Sequence, residues 1–268
     1  RNTMGDAFGN AGMNTMKSVF ITGAASGIGL ATARRMASAG WFVGLYDIDA
    51  DAIDRHLSSG DFPAGCGGRC DVTDPDSVQS ALTHFAAAAD GRMDVLINNA
   101  GLLTAGHFEA IQSDAHDAMI RVNVLGLTHV AQLAFPLLKK TPDSTLLNLC
   151  SVSSVHGVPL LAVYSATKFY VNGLTQALSI EWAEHGIRVC SVKPPFVGTA
   201  MIEGMPEQLM KTLTVDFSPE QIAEEIMQAL QGSGDAYLLG WKAKSLGLFA
   251  RLLPASLSRR VVKYVTGF

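Results

Sequence analysis

The chain alternates between short apolar runs and longer segments in which apolar residues recur at helical spacing. The short runs predict strands at Ser18–Thr22, Phe42–Tyr46, Val95–Asn98, Thr145–Cys150 and Arg188–Val192, with weaker strands near Gly67–Cys70 and Ala236–Leu239. The longer segments predict helices at Gly27–Ser38, Ala50–Leu57, Pro75–Ala89, Asp114–Leu138, Tyr164–His185 and Pro219–Gln231. Because strands and helices alternate, the pattern indicates βαβ units and an α/β fold: a doubly wound parallel sheet with helices on both faces.

The sequence pattern gives no sign that the folded part of the chain is divided into separate domains. We find no internal repeat, low-complexity linker or shift in composition, so we expect a single domain over residues 16–240. Residues 1–15 are mostly small or polar, which predicts a flexible N-terminal extension or residues left from expression. Residues 241–268 combine six bases with apolar side chains and hold no acid. We expect this basic apolar tail either to contact a membrane surface peripherally or to pack on a neighbouring subunit.

Composition narrows the function classes. The net charge of −4 argues against an electrostatic nucleic-acid binder. Four cysteines are too few for a disulfide framework in 268 residues, and the spacing of Cys66 and Cys70 does not match a zinc pair, so we expect no metal. We expect reduced thiols and a cytoplasmic protein. The sequence shows no uncharged apolar run of 18 residues, and its first residues do not resemble a signal peptide.

The stretch TGAASGIG, Thr22–Gly29, ends the first predicted strand and begins the first predicted helix. Its glycines, Gly23, Gly27 and Gly29, permit a sharp turn and remove side chains where an anion would approach the backbone. The free amides and positive end of the following helix suit a pyrophosphate, although a merely tight turn would show the same residues. The spacing G-x-x-x-G-x-G departs from the fingerprint G-x-G-x-x-G, which indicates a variant dinucleotide-binding family.

A carboxylate at the end of the second predicted strand bears on the choice of dinucleotide. Asp47 follows Gly23 by 24 residues, where an acidic side chain would accept hydrogen bonds from an adenosine ribose and repel a 2′-phosphate. Ile48 follows it, and the glycine turn holds no base. We expect Arg34 and Arg35 to face away, so the sequence favours NAD over NADP.

Tyr164 and Lys168 lie four residues apart at the start of a predicted helix and therefore share one face. The ordinary pKa of a tyrosine, about 10, is too high for a base at neutral pH. We expect the neighbouring ammonium of Lys168 to lower it towards the range that acid–base catalysis needs. An ordinary amphipathic helix with a solvated lysine shows the same spacing.

Four motifs in order resemble the short-chain dehydrogenase/reductase family: TGAASGIG at Thr22–Gly29, NNAG at Asn98–Gly101, Ser151, and YSATK at Tyr164–Lys168. The resemblance runs from about Lys17 to Thr199 and implies a Rossmann-like fold and hydride transfer. It implies that Ser151, rather than Ser153 or Ser154, donates to the substrate oxygen. It also implies that Asn123 holds a water in a proton relay to the lysine. The expected catalytic residues are therefore Asn123, Ser151, Tyr164 and Lys168.

The resemblance also extends the expected cofactor site. Asp71 and Val72 resemble the family's adenine-contacting pair, and Val197 and Thr199 the residues that meet the nicotinamide carboxamide. Pro195 replaces a glycine usual in the family and would stiffen or shift that edge. The expected cofactor-binding residues are Gly23, Ser26, Gly27, Ile28, Gly29, Asp47, Ile48, Asp71, Val72, Asn99, Ala100, Gly101, Tyr164, Lys168, Pro194, Val197 and Thr199.

These features predict an NAD(H)-dependent oxidoreductase that interconverts a lipophilic secondary alcohol and its ketone. Apolar residues after Thr199 and before Tyr164, which include Met201, Met205 and Leu160, favour an apolar substrate, or else they only pack a lid on the core. An NADP(H)-dependent carbonyl reductase and a non-catalytic dinucleotide sensor are the alternatives. The resemblance further implies a homodimer or homotetramer, formed through the helices Asp114–Leu138 and Tyr164–His185.

Overall fold

The structure is a computed structural model that describes residues 16–202, 205–207, 209 and 217–240, together with 257, 259, 260 and 263. The predicted extension 1–15 therefore lies outside the described residues, and so does almost all of the tail 241–268. Of the apolar residues after Thr199, Met201 and Met205 are described. The division of the chain into extension, domain and tail stays a prediction.

Within the described residues, seven strands alternate with helical segments, as the apolar pattern predicts, and the predicted helix Asp114–Leu138 is divided into two helices. The strands are β1 Ser18–Thr22, β2 Phe42–Asp47, β3 Gly65–Arg69, β4 Val95–Asn98, β5 Thr145–Leu149, β6 Arg188–Lys193 and β7 Ala236–Leu238. The helices are α1 Gly27–Ser38, α2 Ala50–Ser58, α3 Pro75–Ala88, α4 Ser113–Ile120, α5 Leu127–Lys140, α6 Ala162–Glu181 and α7 Pro219–Gln231.

The strands form one parallel sheet in the order β3-β2-β1-β4-β5-β6-β7. The chain runs outward from β1 to β3 and then returns to add β4 on the other side of β1. The direction of winding therefore reverses between β1 and β4. Ligands of doubly wound sheets bind outside the carboxyl ends of the strands at such a point. The sheet confirms the predicted Rossmann-like, doubly wound fold.

Helices cover both faces of the sheet, so the central strands are apolar almost throughout. On one face Ile21, Leu45 and Val192 pack with α1 and α7. On the other face Phe20, Leu96 and Leu146 pack with α3 and α5. The second layer contains a stack of Phe20 on Tyr46, with ring centroids 4.3 Å apart.

Residues that the sequence marks as caps set several helix ends. The Asp74 side chain accepts a hydrogen bond from the Asp76 amide, directly before proline at the first position of α3. Ser218 and Gln221 form a complete capping box at the start of α7. Gly40 takes a left-handed conformation, with φ of 80°, just after the end of α1.

The predicted helix Asp114–Leu138 is interrupted in its middle. Residues Arg121–Gly126 form a π-helical segment between α4 and α5, a feature that often accompanies functional sites. The continuous run Ser113–Lys140 is long and apolar enough to cross a membrane by length and composition alone. Val130, Ala134 and Leu138 are nevertheless buried beside the sheet, as they are in the core helix of a globular domain.

The strand β3 also departs from its predicted bounds. We predict a weak strand near Gly67–Cys70, whereas the structure has β3 at Gly65–Arg69. Three glycines in GCGGR offer little side-chain pattern. The strand forms because β2 presents its edge: Gly67 pairs with Leu45, and a Cβ on Gly67 would clash with the Leu45 carbonyl oxygen.

Replacing Phe85 by alanine should strongly destabilise the fold. The Phe85 ring is fully buried, meets Phe20 edge-on at 5.4 Å and fills the space above Gly44. We expect Phe85→Ala to lower the free energy of unfolding by about 3–5 kcal/mol in urea denaturation. Gln79→Ala, on the exposed face of the same helix, should change it by less than about 0.5 kcal/mol. Similar losses in both variants would contradict this account of the core.

Candidate active site

A cleft of about 370 Å³ opens at the carboxyl ends of the central strands, at the β1–β4 reversal. It runs from Asp47, at the end of β2, across the glycine turn to Ser151 and Tyr164. The chain thus brings together segments far apart in sequence, because parallel strands end at the same edge of the sheet. Sixteen of the expected cofactor-binding residues line this cleft: Gly23, Ser26, Gly27, Ile28, Asp47, Ile48, Asp71, Val72, Asn99, Ala100, Gly101, Tyr164, Lys168, Pro194, Val197 and Thr199.

The glycine turn fits tightly against the turn that follows β4. Gly23 has φ of 68°, and a Cβ there would lie 2.8 Å from the Ala100 Cα. The Asn99 side-chain amide donates to the carbonyl oxygens of Thr22 and Gly23, both at 2.9 Å. Gly29 is buried and is not among the cleft-lining residues, so its expected contact with the cofactor stays a prediction. A side chain there would collide with the Gly23 carbonyl oxygen, so Gly29 permits the packing of α1 on the turn.

The start of α1 faces the cleft without a side-chain cap. Ser26 is the N-cap residue, yet its side chain makes no capping hydrogen bond. The first amides of a helix lack partners within the helix and favour an anion. Because Gly27 and Ile28 line the cleft, this backbone fits the pyrophosphate of a dinucleotide.

Asp47 lies at the end of the cleft beyond the glycine turn. Its carboxylate accepts hydrogen bonds from the backbone amides of Ala25, at 3.0 Å, and Asp49, at 3.1 Å. Arg34 and Arg35 point elsewhere, as expected, because they pair with Asp61 and Glu224 at 3.1 and 2.7 Å. Among the described residues that line the cleft, Lys168 is the one cation, and it lies at the opposite end.

Asp71 and Val72 form the wall beside Asp47. One Asp71 oxygen accepts hydrogen bonds from the amide and hydroxyl of Thr73, at 3.0 and 2.7 Å. Val72 is buried against Gly126 of the π-helical segment, where a Cβ on the glycine would lie 2.6 Å from the valine methyl group. The interrupted helix therefore closes on this wall, and the arrangement fits a planar base between apolar and polar groups.

Ser151, Tyr164 and Lys168 meet at the other end of the cleft. Ser151 follows β5, and its hydroxyl hydrogen-bonds both Tyr164 and the Ser153 hydroxyl, the latter at 2.7 Å. Lys168 is buried and donates to the Leu149 carbonyl oxygen at 2.9 Å. Ser153 and Ser154 are buried behind Ser151 and are not among the cleft-lining residues. The structure thus places Ser151, as expected, beside the tyrosine.

The electrostatics of Tyr164 differ from the sequence expectation. Burial raises the pKa of the Tyr164 phenol, the hydrogen bond from Ser151 lowers it, and the nearby Cys150 thiol raises it. The Lys168 ammonium lies 5.7 Å from the centre of the tyrosine ring and is engaged by Leu149. Burial also lowers the pKa of Lys168. The expected net lowering of the Tyr164 pKa is therefore wrong for this structure: burial has the largest effect and raises the pKa, so the phenol stays protonated at neutral pH.

Asn123 lies in the π-helical segment behind the cleft and does not line it. Its side chain accepts from the Leu102 amide at 2.7 Å and donates to the Leu102 carbonyl and the Thr167 hydroxyl at 2.8 and 3.1 Å. Both amide protons are thus committed to the protein. The side chain joins the segment after β4 to α6. A water that bridges Asn123 and Lys168, as the resemblance implies, would have to bind an atom of Asn123 other than this amide nitrogen.

The loop after β6 closes the cleft from the side opposite Asp71 and Val72. The Pro194 carbonyl accepts from the Val152 amide at 3.1 Å, which ties this loop to the Ser151 turn. A Cβ on Gly27 would lie 3.3 Å from a Thr199 methyl group. The glycine turn and the loop therefore face each other closely. Pro195 also lines the cleft, so the proline that replaces the family's usual glycine borders the binding space.

The end of the cleft beyond Tyr164 is apolar. Leu103, Phe196 and Met201 line it, and Leu103 and Phe196 pack on a cluster that contains Leu160 and Leu161. The two interpretations of the apolar segments, contact with an apolar substrate and packing on the core, therefore apply to different residues. Leu160, Leu161 and Leu209 are buried and pack the rim, whereas Met201 is 43% exposed at the cleft.

Sequence reasoning missed several lining residues because no motif marks them. They are Cys70, Leu102, Leu103, Val122, Leu149, Cys150, Phe196 and Ala200. Most of them lie at the carboxyl end of a predicted strand or in the loop that follows it, and that position is the signal that would have found them. All four cysteines are unpaired, and burial raises the pKa of the Cys70 thiol to about 12, so that thiol stays protonated.

Comparison with known proteins agrees with this architecture. A family model described as short chain dehydrogenase matches residues 17–210. The chain belongs to the short-chain dehydrogenase family. It is 32% identical over 235 residues to the 3-oxoacyl-[acyl-carrier-protein] reductase FabG of Thermotoga maritima, which covers 84% of this chain and 94% of that protein. As a family member, it is an oxidoreductase.

Solved structures of short-chain dehydrogenases have the same fold. A 3-ketoacyl-(acyl-carrier-protein) reductase from Brucella melitensis, complexed with NADH, aligns with a TM-score of 0.75 at 27% identity, covering 83% of this chain and 96% of that one. A short-chain dehydrogenase from Burkholderia cenocepacia, in complex with NADP, aligns with a TM-score of 0.80 at 23% identity, covering 91% and 97%. Neighbours in this family thus hold either dinucleotide, and similarity does not choose between them.

Replacing Gly29 by alanine should abolish the packing of α1 on the turn. The new methyl group would collide with the Gly23 carbonyl oxygen and approach the Asn99 amide, neither of which can move without loosening β1 from β4. We expect Gly29→Ala to unfold at lower temperature and to lose NADH binding in a fluorescence titration. Gly68→Ala, where a Cβ meets nothing within 4 Å, should bind as the wild type does. Normal NADH affinity in Gly29→Ala would contradict the assignment of this turn.

Proposed function

We propose that this short-chain dehydrogenase is an NAD(H)-dependent oxidoreductase that interconverts a lipophilic secondary alcohol and its ketone. The observation that carries the proposal is the convergence of Ser151, Tyr164 and Lys168 at the apolar end of a cleft whose other end holds Asp47. Such an arrangement supplies a proton donor, a hydrogen-bonding partner and a buried cation beside one reacting carbon.

The roles follow from the contacts of each group. Bound NAD(H) supplies or accepts the hydride at its nicotinamide ring. Tyr164, protonated because burial raises its pKa, donates its proton to the oxygen that develops negative charge as a ketone is reduced. The Ser151 hydroxyl, held by Ser153, orients that oxygen. Lys168, fixed by the Leu149 carbonyl, places its positive charge beside the phenol.

Asp47 supports NAD over NADP as the preferred cofactor. Its two oxygens accept backbone hydrogen bonds and keep further lone pairs for the hydroxyl groups of a ribose. A 2′-phosphate there would meet a like charge, and the described residues lining this end of the cleft include no lysine or arginine to compensate. An NADP(H)-dependent carbonyl reductase is the alternative within the same chemistry.

The apolar lining supports a lipophilic substrate. Leu103, Phe196 and Met201 offer contact area and no charge to a bound molecule. The reductase from Thermotoga maritima acts, by its name, on a 3-oxoacyl group carried by a protein. A 3-oxoacyl thioester is likewise a ketone on an apolar chain, so it forms the second substrate class to test beside steroid-like, terpenoid, aromatic and long-chain ketones.

The outer faces of α5 and α6 carry the apolar surface that supports the proposed homo-oligomer. Phe169 and Ile180 of α6 are 44% and 77% exposed, and a shallow apolar groove runs between Phe135, Leu174 and Trp182. We expect these faces to form the contact of a homodimer or homotetramer. The cytoplasmic placement, and the tail's contact with a membrane or a neighbouring subunit, stay predictions.

Replacing Tyr164 by phenylalanine should remove the proton donor and leave the cofactor site in place. We expect Tyr164→Phe to bind NADH with wild-type affinity, while kcat on a ketone that the wild type reduces falls at least about 100-fold. Tyr170→Phe, an exposed tyrosine on the same helix that contacts Thr128, should retain full turnover. Near-native turnover of Tyr164→Phe would overturn the assignment.

The same assay separates an enzyme from a dinucleotide sensor. Cofactor absorbance followed over a panel of alcohols and ketones, 3-oxoacyl thioesters included, should show turnover of at least one apolar member. Tight NADH binding without turnover of any member would favour the non-catalytic sensor.

Replacing Asp47 by alanine should change the choice of dinucleotide. Loss of the charged acceptor should raise KM for NAD about tenfold or more. KM for NADP should stay constant or fall, because the repulsion of a 2′-phosphate is removed. Asp54→Ala, an exposed carboxylate on α2, is the control and should leave both KM values unchanged. A wild-type preference for NADP would contradict this cofactor assignment.

A further inference from the structure

One residue of the glycine turn, Ala25, is held through both of its backbone polar groups by side chains outside the turn. The Ala25 amide donates to the Asp47 carboxylate at 3.0 Å. The Ala25 carbonyl oxygen lies 2.9 Å from Nε2 of His56, in the last turn of α2. The preceding amide, that of Ala24, donates to the Tyr46 carbonyl at 3.2 Å. The middle of the turn is therefore attached to β2 and α2 at three points.

In the hydrogen bond between His56 and Ala25, the imidazole is the donor. A carbonyl oxygen accepts and never donates, so Nε2 of His56 carries the proton. This imidazole is half-buried, and the core residues of α2 are Ala52 and Ile53. The packing of α2 against the core therefore does not depend on the imidazole of His56. The polar contact of that imidazole is its hydrogen bond to the Ala25 carbonyl oxygen.

The consequence reaches the cleft through Ala25. The bond to the carbonyl restricts rotation about the Ala25 backbone, and the N–H of the same residue donates to one oxygen of Asp47, which orients the carboxylate. Asp47 lines the cleft, while His56 is not among the lining residues. We propose that His56 is a positioning residue for the adenosine end of the dinucleotide, which it orders through Ala25 and Asp47. This inference rests on the proposed function, because it supposes that Asp47 binds the ribose.

Substitutions at His56 test the proposal with three probes and the full chain. We expect His56→Ala to raise the Kd of NADH and of ADP-ribose about threefold to tenfold, the effect of one lost hydrogen bond. The Kd of reduced nicotinamide mononucleotide, which lacks the adenosine, should stay unchanged. His56→Gln places an N–H at a similar reach and should return the Kd of NADH to within about twofold of the wild type.

Arg55→Ala is the matched control. Arg55 is exposed in the same last turn of α2, so its loss removes a positive charge near His56 without touching Ala25. It should leave all three dissociation constants unchanged. A comparable rise in Kd in Arg55→Ala would assign the effect to charge and overturn the proposal.

The outcomes separate this inference from the proposed function. Equal NADH affinity of wild type and His56→Ala, with Asp47→Ala weakened, would overturn the role of His56 alone. Weakening of all three probes alike, or failure of His56→Gln to recover, would indicate a general structural role and would also overturn it. A wild-type chain without affinity for NADH would overturn both.

Discussion

The site depends on one set of hydrogen bonds between the ends of β1 and β4. The Thr22 hydroxyl oxygen accepts from the amides of Asn99 and Ala100, both at 3.1 Å, while the Asn99 side chain donates back to the carbonyls of Thr22 and Gly23. These bonds hold two loops together at the point where the sheet reverses its winding. They satisfy backbone groups that the strand ends leave open, and only glycine fits where the two backbones meet. Every other part of the cleft is placed relative to this junction.

Burial of charge is the second constraint, and it shapes the chemistry. Lys168 is buried beside Tyr164 and donates a hydrogen bond to the Leu149 carbonyl oxygen. A buried ammonium is costly without hydrogen-bond partners. The site therefore depends on α6 staying packed against the end of β5, where the Leu149 carbonyl lies. The same burial keeps the phenol neutral, which suits proton donation to a ketone. Asn123 supports this arrangement from behind, because it joins the loop after β4 to Thr167 of α6.

The sequence predicts most of the fold because the spacing of apolar residues and the turn and cap residues indicate the same element boundaries. The strand β1 and the helix α1 have the predicted bounds because the glycine turn separates them. The helix α7 has the predicted bounds because a capping box marks its start. The strand β3 and the π-helical segment are less predictable. Glycines carry no side-chain pattern, and the break at Arg121–Gly126 arises where Gly126 and Asn123 meet Val72 and Leu102 from other parts of the chain.

The sequence by itself determined the order of elements, because local spacing encodes helix faces and strand ends. Its motifs, through their resemblance to the family, also singled out Ser151, Tyr164 and Lys168 as the expected catalytic groups. Only the tertiary structure decided how these groups behave. It showed Gly29 in a packing contact outside the cleft and committed the Asn123 side chain to Leu102. It also reversed the expected direction of the Tyr164 pKa shift. The physical reason is shared by all three: desolvation and close approach depend on atoms that are distant in sequence, and no local pattern records how closely those atoms surround a group.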